Sequence, residues 1–198
     1  MPAKTKKVVR KASKKKVSKK AVKSAKNKMI RSLFNAENIV SASKEARDLY
    51  SKSLFGEYIN KRVEYSYSEA LYLVKKGKMN VYVGSKKLNF NDLMEKCKRY
   101  DKKISTKFLV FSDLRDKGYL LKTALKFGAD FRVYDKGVRP GKGHARWILY
   151  PVSENAEMTW HDFSAKNRVA HSTKKNLLIA VVDAEGGLTY YEIDWIRP

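Results

Sequence analysis

The chain has 198 residues and a formal charge of +24, from 44 Lys and Arg against 20 Asp and Glu. So basic a protein attracts polyanions, which makes nucleic acid the default partner, while 43% hydrophobic and 12% aromatic residues exclude a wholly disordered chain. One cysteine, Cys97, excludes an internal disulfide and a Cys-rich zinc site and fits a reducing cytoplasm, and no apolar run nears the ~20 residues that span a bilayer.

The charge is uneven. Residues 1–28 hold 12 Lys, Arg10 and no acid, so they carry +13 and leave +11 for the rest. That segment has no aromatic residue and reads as a disordered Lys-rich arm with salt-dependent attraction to RNA or DNA. A solvating tail or an organelle transit peptide are the alternatives, and no apolar stretch follows that would make it a secretory signal.

A first α/β unit is expected over 29–102. Ile39-Val40 reads as a short strand, and Ser43–Tyr50 as a capped amphipathic helix. Val63–Tyr65 is a strand candidate. It leads into a helix that starts at the N-cap candidate Ser68 and ends at Gly77. Met79–Val83 alternates like a strand before the turn Gly84-Ser85. Asn91–Tyr100 is a helix facing inward with Leu93, Cys97 and Tyr100.

A second unit is expected over 103–198. Phe108–Lys117 is helical and stops at Gly118; Tyr119–Phe127 and Asp130–Tyr134 are strands. Asp135–Gly143 is a mobile, basic, Gly- and Pro-rich loop, and Ala145–Val152 a further strand. Thr159 caps a helix running to about Ser172, with Trp160, Phe163, Asn167 and Ala170 on one stripe. The apolar run Leu177–Val182 is a strand buried on both faces. Glu185-Gly186-Gly187 turns it into a last strand, Leu188–Trp195. No internal repeat is visible. The fold class is α/β (mixed α+β): two small domains, the second a mixed sheet flanked by helices.

The segment Tyr134–His144 is the densest set of chemical groups. Lys136, Arg139 and Lys142 supply charge, and the two rings stand at the ends of adjacent strands, so pairing of those strands would bring them to one pocket. Cleavage of RNA by its own 2′-OH needs a base for that hydroxyl, an acid for the leaving 5′ oxygen and a cation for the charge on phosphorus. Histidine, tyrosine and lysine can divide these roles without a metal. A tyrosine at a strand end is equally an ordinary core residue, and a lone histidine an ordinary hydrogen-bonding one. His161 and His171 read as structural. No carboxylate cluster accompanies the histidines, so neither a metal nor another cofactor is expected.

These segments resemble the archaeal tRNA-splicing endonucleases. The resemblance rests on Lys126–Tyr134 (KFGADFRVY), His144, Trp160, Arg168–Ser172 (RVAHS) with Lys175, Leu177–Asp183 and Thr189–Pro198 (TYYEIDWIRP). Glu45–Tyr50 (EARDLY) and Phe55-Gly56 resemble that family's smaller domain more loosely, and the arm 1–28 has no counterpart. The resemblance implies a metal-independent catalytic subunit that cuts precursor tRNA at both splice sites of a bulge-helix-bulge. It would leave 2′,3′-cyclic phosphate and 5′-hydroxyl ends. Tyr134 would be the general base, His144 the general acid and Lys175 the group stabilising the transition state, with Lys174 its neighbouring rival. Arg168 and Trp195 would hold an extruded base, although a Trp near a chain end is as often core packing. Asp183 and Glu185 would form a loop that docks a neighbouring subunit in a tetramer, either a homotetramer or one built with a structural subunit. The alternative is a non-catalytic basic RNA-binding or ribosome-associated protein, which would have no need of all three catalytic groups.

Overall fold

The computed structural model describes residues 29–196, so the Lys-rich arm expected over 1–28 lies outside the described residues. In the first half, six strands form one sheet: β1 (Ile30–Phe34), β2 (Ile39–Ser41), β3 (Glu57–Ile59), β4 (Arg62–Tyr65), β5 (Met79–Val83) and β6 (Lys86–Leu88), in the order β3-β4-β2-β1-β5-β6. Three helices accompany it: α1 (Lys44–Ser53), α2 (Tyr67–Lys75) and α3 (Phe90–Lys98). Strands β1, β3 and β6 are additions to the expected elements. Each is short and carries charge (Arg31, Glu57, Lys86 and Lys87), so no local apolar run announces it. What makes β1 a strand is its pairing, parallel to β5 (Ile30 opposite Met79) and antiparallel to β2 (Leu33 opposite Val40).

The N-cap of α2 is Ser66 rather than Ser68. The Ser66 hydroxyl accepts from the Glu69 N–H at 3.4 Å, and the Glu69 carboxylate accepts from the Ser66 N–H at 3.0 Å. This reciprocal box requires Glu three residues after the cap, which Ser66 has and Ser68 lacks. Ser43 caps α1 and Asn89 caps α3. Tyr100, expected to face in, is 52% exposed beyond the end of α3, while Leu93 and Cys97 are buried as expected.

The second half is α4 (Ile104–Asp116), β7 (Leu120–Ala124), a 3-10 turn at Leu125–Phe127, β8 (Ala129–Tyr134), β9 (Trp147–Ser153), α5 (Trp160–Ser172), β10 (Asn176–Val182) and β11 (Leu188–Ile193). The sheet order is β11-β10-β9-β8-β7; β9 and β10 run parallel and the other neighbours antiparallel. Helix α4 starts a turn earlier than expected because Ile104, Phe108 and Phe111 form one buried stripe. The strand expected over Tyr119–Phe127 stops at Ala124, where the 3-10 turn begins, and the last strand stops at Ile193, which leaves Trp195 beyond it.

The second sheet is covered on both faces. Phe131, Val133, Leu149, Leu178 and Ala180 join a core that runs through α4 into the first half, where Tyr72 meets Phe111 edge-on at 5.8 Å. Ile148, Tyr150, Leu177 and Ile179 pack with Ala170 of α5 on the other side. Burial from both sides explains the unbroken apolar run of β10. On α5 only Ala170 is buried; the expected stripe turns outward at its start, where Trp160 is 84% exposed.

Candidate active site

Three chain segments meet at one end of the second sheet. Strand β8 ends there at Tyr134, and β9 begins there shortly after His144. Because β10 runs parallel to β9, it begins there too, immediately after Lys175. The registers are explicit: Val133 lies opposite Trp147, Trp147 opposite Asn176, the Arg146 N–H donates to the Val133 carbonyl at 2.9 Å and the Asn176 N–H to the Arg146 carbonyl at 3.0 Å. A hollow of about 440 Å³ results, lined by Arg132, Tyr134, Pro140, Gly141, Lys142, Gly143, His144, Ala145 and Lys175. Tyr134, His144 and Lys175 therefore share one pocket. Its lining contains no carboxylate, and among the described residues no group of three or more His, Cys, Asp and Glu could hold a metal ion.

Tyr134 is only 4% exposed, packed with Leu120, Ala145, Val138 and, from the first half, Leu54. The loop expected to be mobile is braced on itself. Val138 N–H donates to the Asp135 carbonyl at 3.0 Å, and the Lys142 and Gly143 N–H groups to the Arg139 carbonyl at 3.0 and 3.1 Å. Gly143 is required by close approach, since a Cβ there would lie 2.6 Å from Val138 Cγ1. Of the loop cations, Lys136 lies over the Tyr119 ring and Arg139 reaches the Lys52 carbonyl at 3.4 Å; Lys142 lines the pocket.

The end of α5 delivers Lys175. Lys174 has φ +56°, and the Lys174 and Lys175 N–H groups donate to the His171 and Ala170 carbonyls, both at 2.9 Å. This left-handed cap satisfies the last helical carbonyls and turns the chain into β10. Lys175 then lines the pocket and Lys174 does not. Lys175 Nζ donates to the Thr173 carbonyl at 2.6 Å, and burial, then the charge of Arg132, hold its ammonium below the usual lysine range.

Arg132 is the pocket residue that sequence reasoning passed over. It stands two positions before Tyr134, on the same face of β8, and that alternation was the available signal. Its Nε is buried without a hydrogen-bond partner.

Arg168 and Trp195 come together in a second hollow, with Trp160, His161, Phe163, Ser164 and Asn167. Trp195 is 44% exposed, so it is not a core residue, and its ring lies 4.1 Å from that of His171. Asp183 and Glu185 are elsewhere, in the β10–β11 turn at the far end of β10, about 26 Å along the strand from Lys175. Asp183 Oδ1 accepts from the Glu185 and Gly187 N–H groups at 2.9 and 2.6 Å, so its carboxylate braces the turn, and both acids are exposed.

Residues 104–190 match the family model of the tRNA intron endonuclease catalytic C-terminal domain, and residues 30–94 that of the tRNA intron endonuclease N-terminal domain. The chain belongs to the tRNA intron endonuclease family. It is 41% identical over 154 residues to the tRNA-splicing endonuclease of Thermococcus onnurineus, covering 78% of this chain and 88% of the relative. The corresponding protein of Nanoarchaeum equitans is 46% identical over 136 residues, 66% of this chain and 87% of the relative. That of Thermococcus kodakarensis is 36% identical over 170 residues, 85% and 99%. The pocket holding Tyr134, His144 and Lys175 falls within the segment that matches the catalytic domain. No helix among the described residues is long and apolar enough to cross a membrane.

Proposed function

We propose that this chain is an endonuclease that excises introns from precursor tRNA, with the hollow at Tyr134, His144 and Lys175 as its active site. The observation that carries this reading is the convergence of those three side chains on one pocket without a carboxylate. The substrate's 2′-oxygen attacks the adjacent phosphorus while Tyr134 takes up its proton. The bond from phosphorus to the 5′ oxygen breaks, and His144 donates a proton to that oxygen. Lys175 faces the charge that accumulates on the phosphoryl oxygens, where a fixed cation in a partly desolvated pocket acts most strongly. The products are a 2′,3′-cyclic phosphate and a 5′-hydroxyl, and no metal enters the step.

Arg168 and Trp195 form a clamp for an extruded bulge base, consistent with their shared hollow. The RNA is recognised by the shape of a bulge-helix-bulge, because A-form grooves hide base identity and bulged nucleotides expose it. Two cuts per intron call for two sites at a fixed spacing, which the family resemblance supplies as a tetramer, either a homotetramer or one built with a structural subunit; the setting is a reducing cytoplasm. Asp183 and Glu185 are the exposed acids of the docking turn, which the Asp183 carboxylate also braces. The domains divide at 29–102 and 103–198.

The test is incubation of the wild-type protein and of His144→Ala and Lys175→Ala with a bulge-helix-bulge RNA in EDTA, followed by end-group analysis. Cyclic phosphate from the wild type and its loss in both variants is the expected result. No cleavage by the wild type, alone or with a structural subunit, sinks the reading, and cleavage abolished by EDTA sinks the metal-free step.

A further inference from the structure

We propose that Trp160 and Phe163, at the start of α5, form a second stacking site for a nucleobase outside the Arg168–Trp195 clamp; this rests on the RNA-cleaving reading above. Trp160 is the most exposed large apolar side chain among the described residues, at 84%. Its ring meets that of Phe163 at right angles, 5.9 Å between centroids. The hollow beside it is the one whose other end Arg168 and Trp195 line; it measures about 610 Å³ and has no carboxylate in its lining. Its polar groups are His161, Ser164, Asn167 and Arg168, which suit the edges of a base and a phosphate better than a dry protein surface.

Continuity makes RNA the occupant. Asn167 and Trp195 border both this hollow and the next one along α5, and Lys175 borders that second hollow and the Tyr134 pocket. The three are neighbours in a row from Trp160 to the proposed site of cleavage, the middle one lined by Lys174 and Lys175 against one carboxylate, Asp194. Trp160 and Ser172 are the ends of a 13-residue helix, so the row follows about 20 Å of helix. That is longer than one nucleotide, so a strand clamped at Arg168 has room to continue along it to Trp160. An aromatic ledge beside a cationic groove is how single-stranded nucleic acid is held without sequence choice.

The experiment measures binding of an uncleaved bulge-helix-bulge RNA to the full-length His144→Ala protein, with single abasic substitutions through each bulge and its flanks. Trp160→Ala in that background should weaken binding about 5- to 100-fold, and Trp160→Phe should restore most of the loss. One abasic position should erase the effect of Trp160→Ala, and it should differ from the position coupled to Arg168→Ala. Equal affinity of Trp160→Ala and its parent overturns the ledge, as does a loss that no abasic position removes. A smaller sedimenting mass for Trp160→Ala, without such coupling, makes Trp160 a subunit contact and overturns it as well. Failure of the parent to bind the RNA at all would count instead against the functional reading.

Discussion

Lys122 of the second sheet and Glu69 of the first half are a buried ion pair across the middle of the molecule, Nζ to Oε1 3.8 Å, with 7% and 6% of the residues exposed. The Lys122 ammonium also donates to the Gly56 carbonyl, and the Gly56 N–H donates to Glu69 at 2.9 Å. Gly56 needs its φ of +74° and its lack of a side chain, since a Cβ would lie 2.6 Å from Val63 Cγ1. The pair thus fixes the turn after Leu54, a residue packed against the Tyr134 cluster.

Removing one member of this pair leaves a buried charge alone. Lys122→Met should cost about 3–5 kcal/mol, read from urea unfolding midpoints. The double variant Lys122→Met, Glu69→Gln should cost less than the two single losses added, because neither charge is then stranded. Additive losses would show that the two groups are not coupled.

Asp116, at the end of α4, ties the halves together from the other side. Its carboxyl is held below the usual carboxylate range by the hydrogen bond from Lys76, then by that from Tyr72 at 2.7 Å. A depressed folded-state value means that its contribution is complete above the unfolded pKa of ~3.9 and is lost as pH falls through the lower folded value. The site is half exposed, so the effect is small. Urea midpoints measured from pH 5 to pH 2 should fall less steeply for Asp116→Asn than for the wild type.

Lys175 should titrate below an ordinary lysine, followed directly by NMR of side-chain-labelled lysine. Burial disfavours its ammonium first, and the Arg132 charge adds to this. Arg132→Gln removes a like charge and should therefore move that titration upward. An unmoved titration would show that Arg132 does not act on Lys175.

Lys174 occupies the left-handed cap position that glycine fills without strain. Lys174→Gly should raise stability by about 1 kcal/mol and keep the chemical step at saturating RNA. Lys175→Ala should lose that step. The reverse pattern would exchange the roles of the two lysines.

Deleting residues 1–28 removes +13 of charge. It should weaken RNA binding and flatten its salt dependence without changing single-turnover cleavage at saturating enzyme. Loss of the chemical step would assign the arm a different role.

Local chemistry made much of this readable in the chain. Ser43 and Thr159 cap the helices expected of them, β10 is the apolar strand its composition demands, and Cys97 is buried, its thiol pushed up to about 12 chiefly by that burial. Tyr134 and His144 were suspect because a short basic loop joins them. Lys175 entered through resemblance alone, for 30 residues separate it from His144.

Charge distribution, the type of the longer elements and the candidate proton-transfer groups Tyr134 and His144 are properties of short stretches, and the sequence by itself determined them. Only the tertiary structure decided that β9 and β10 run parallel, which starts both at the end where β8 stops and sets Lys175 beside Tyr134 and His144. It likewise decided that Arg132 enters that pocket and that Trp160 stands in solvent. Strand register and exposure depend on partners distant in the chain, and no local pattern encodes which partner a strand or a helix face will meet.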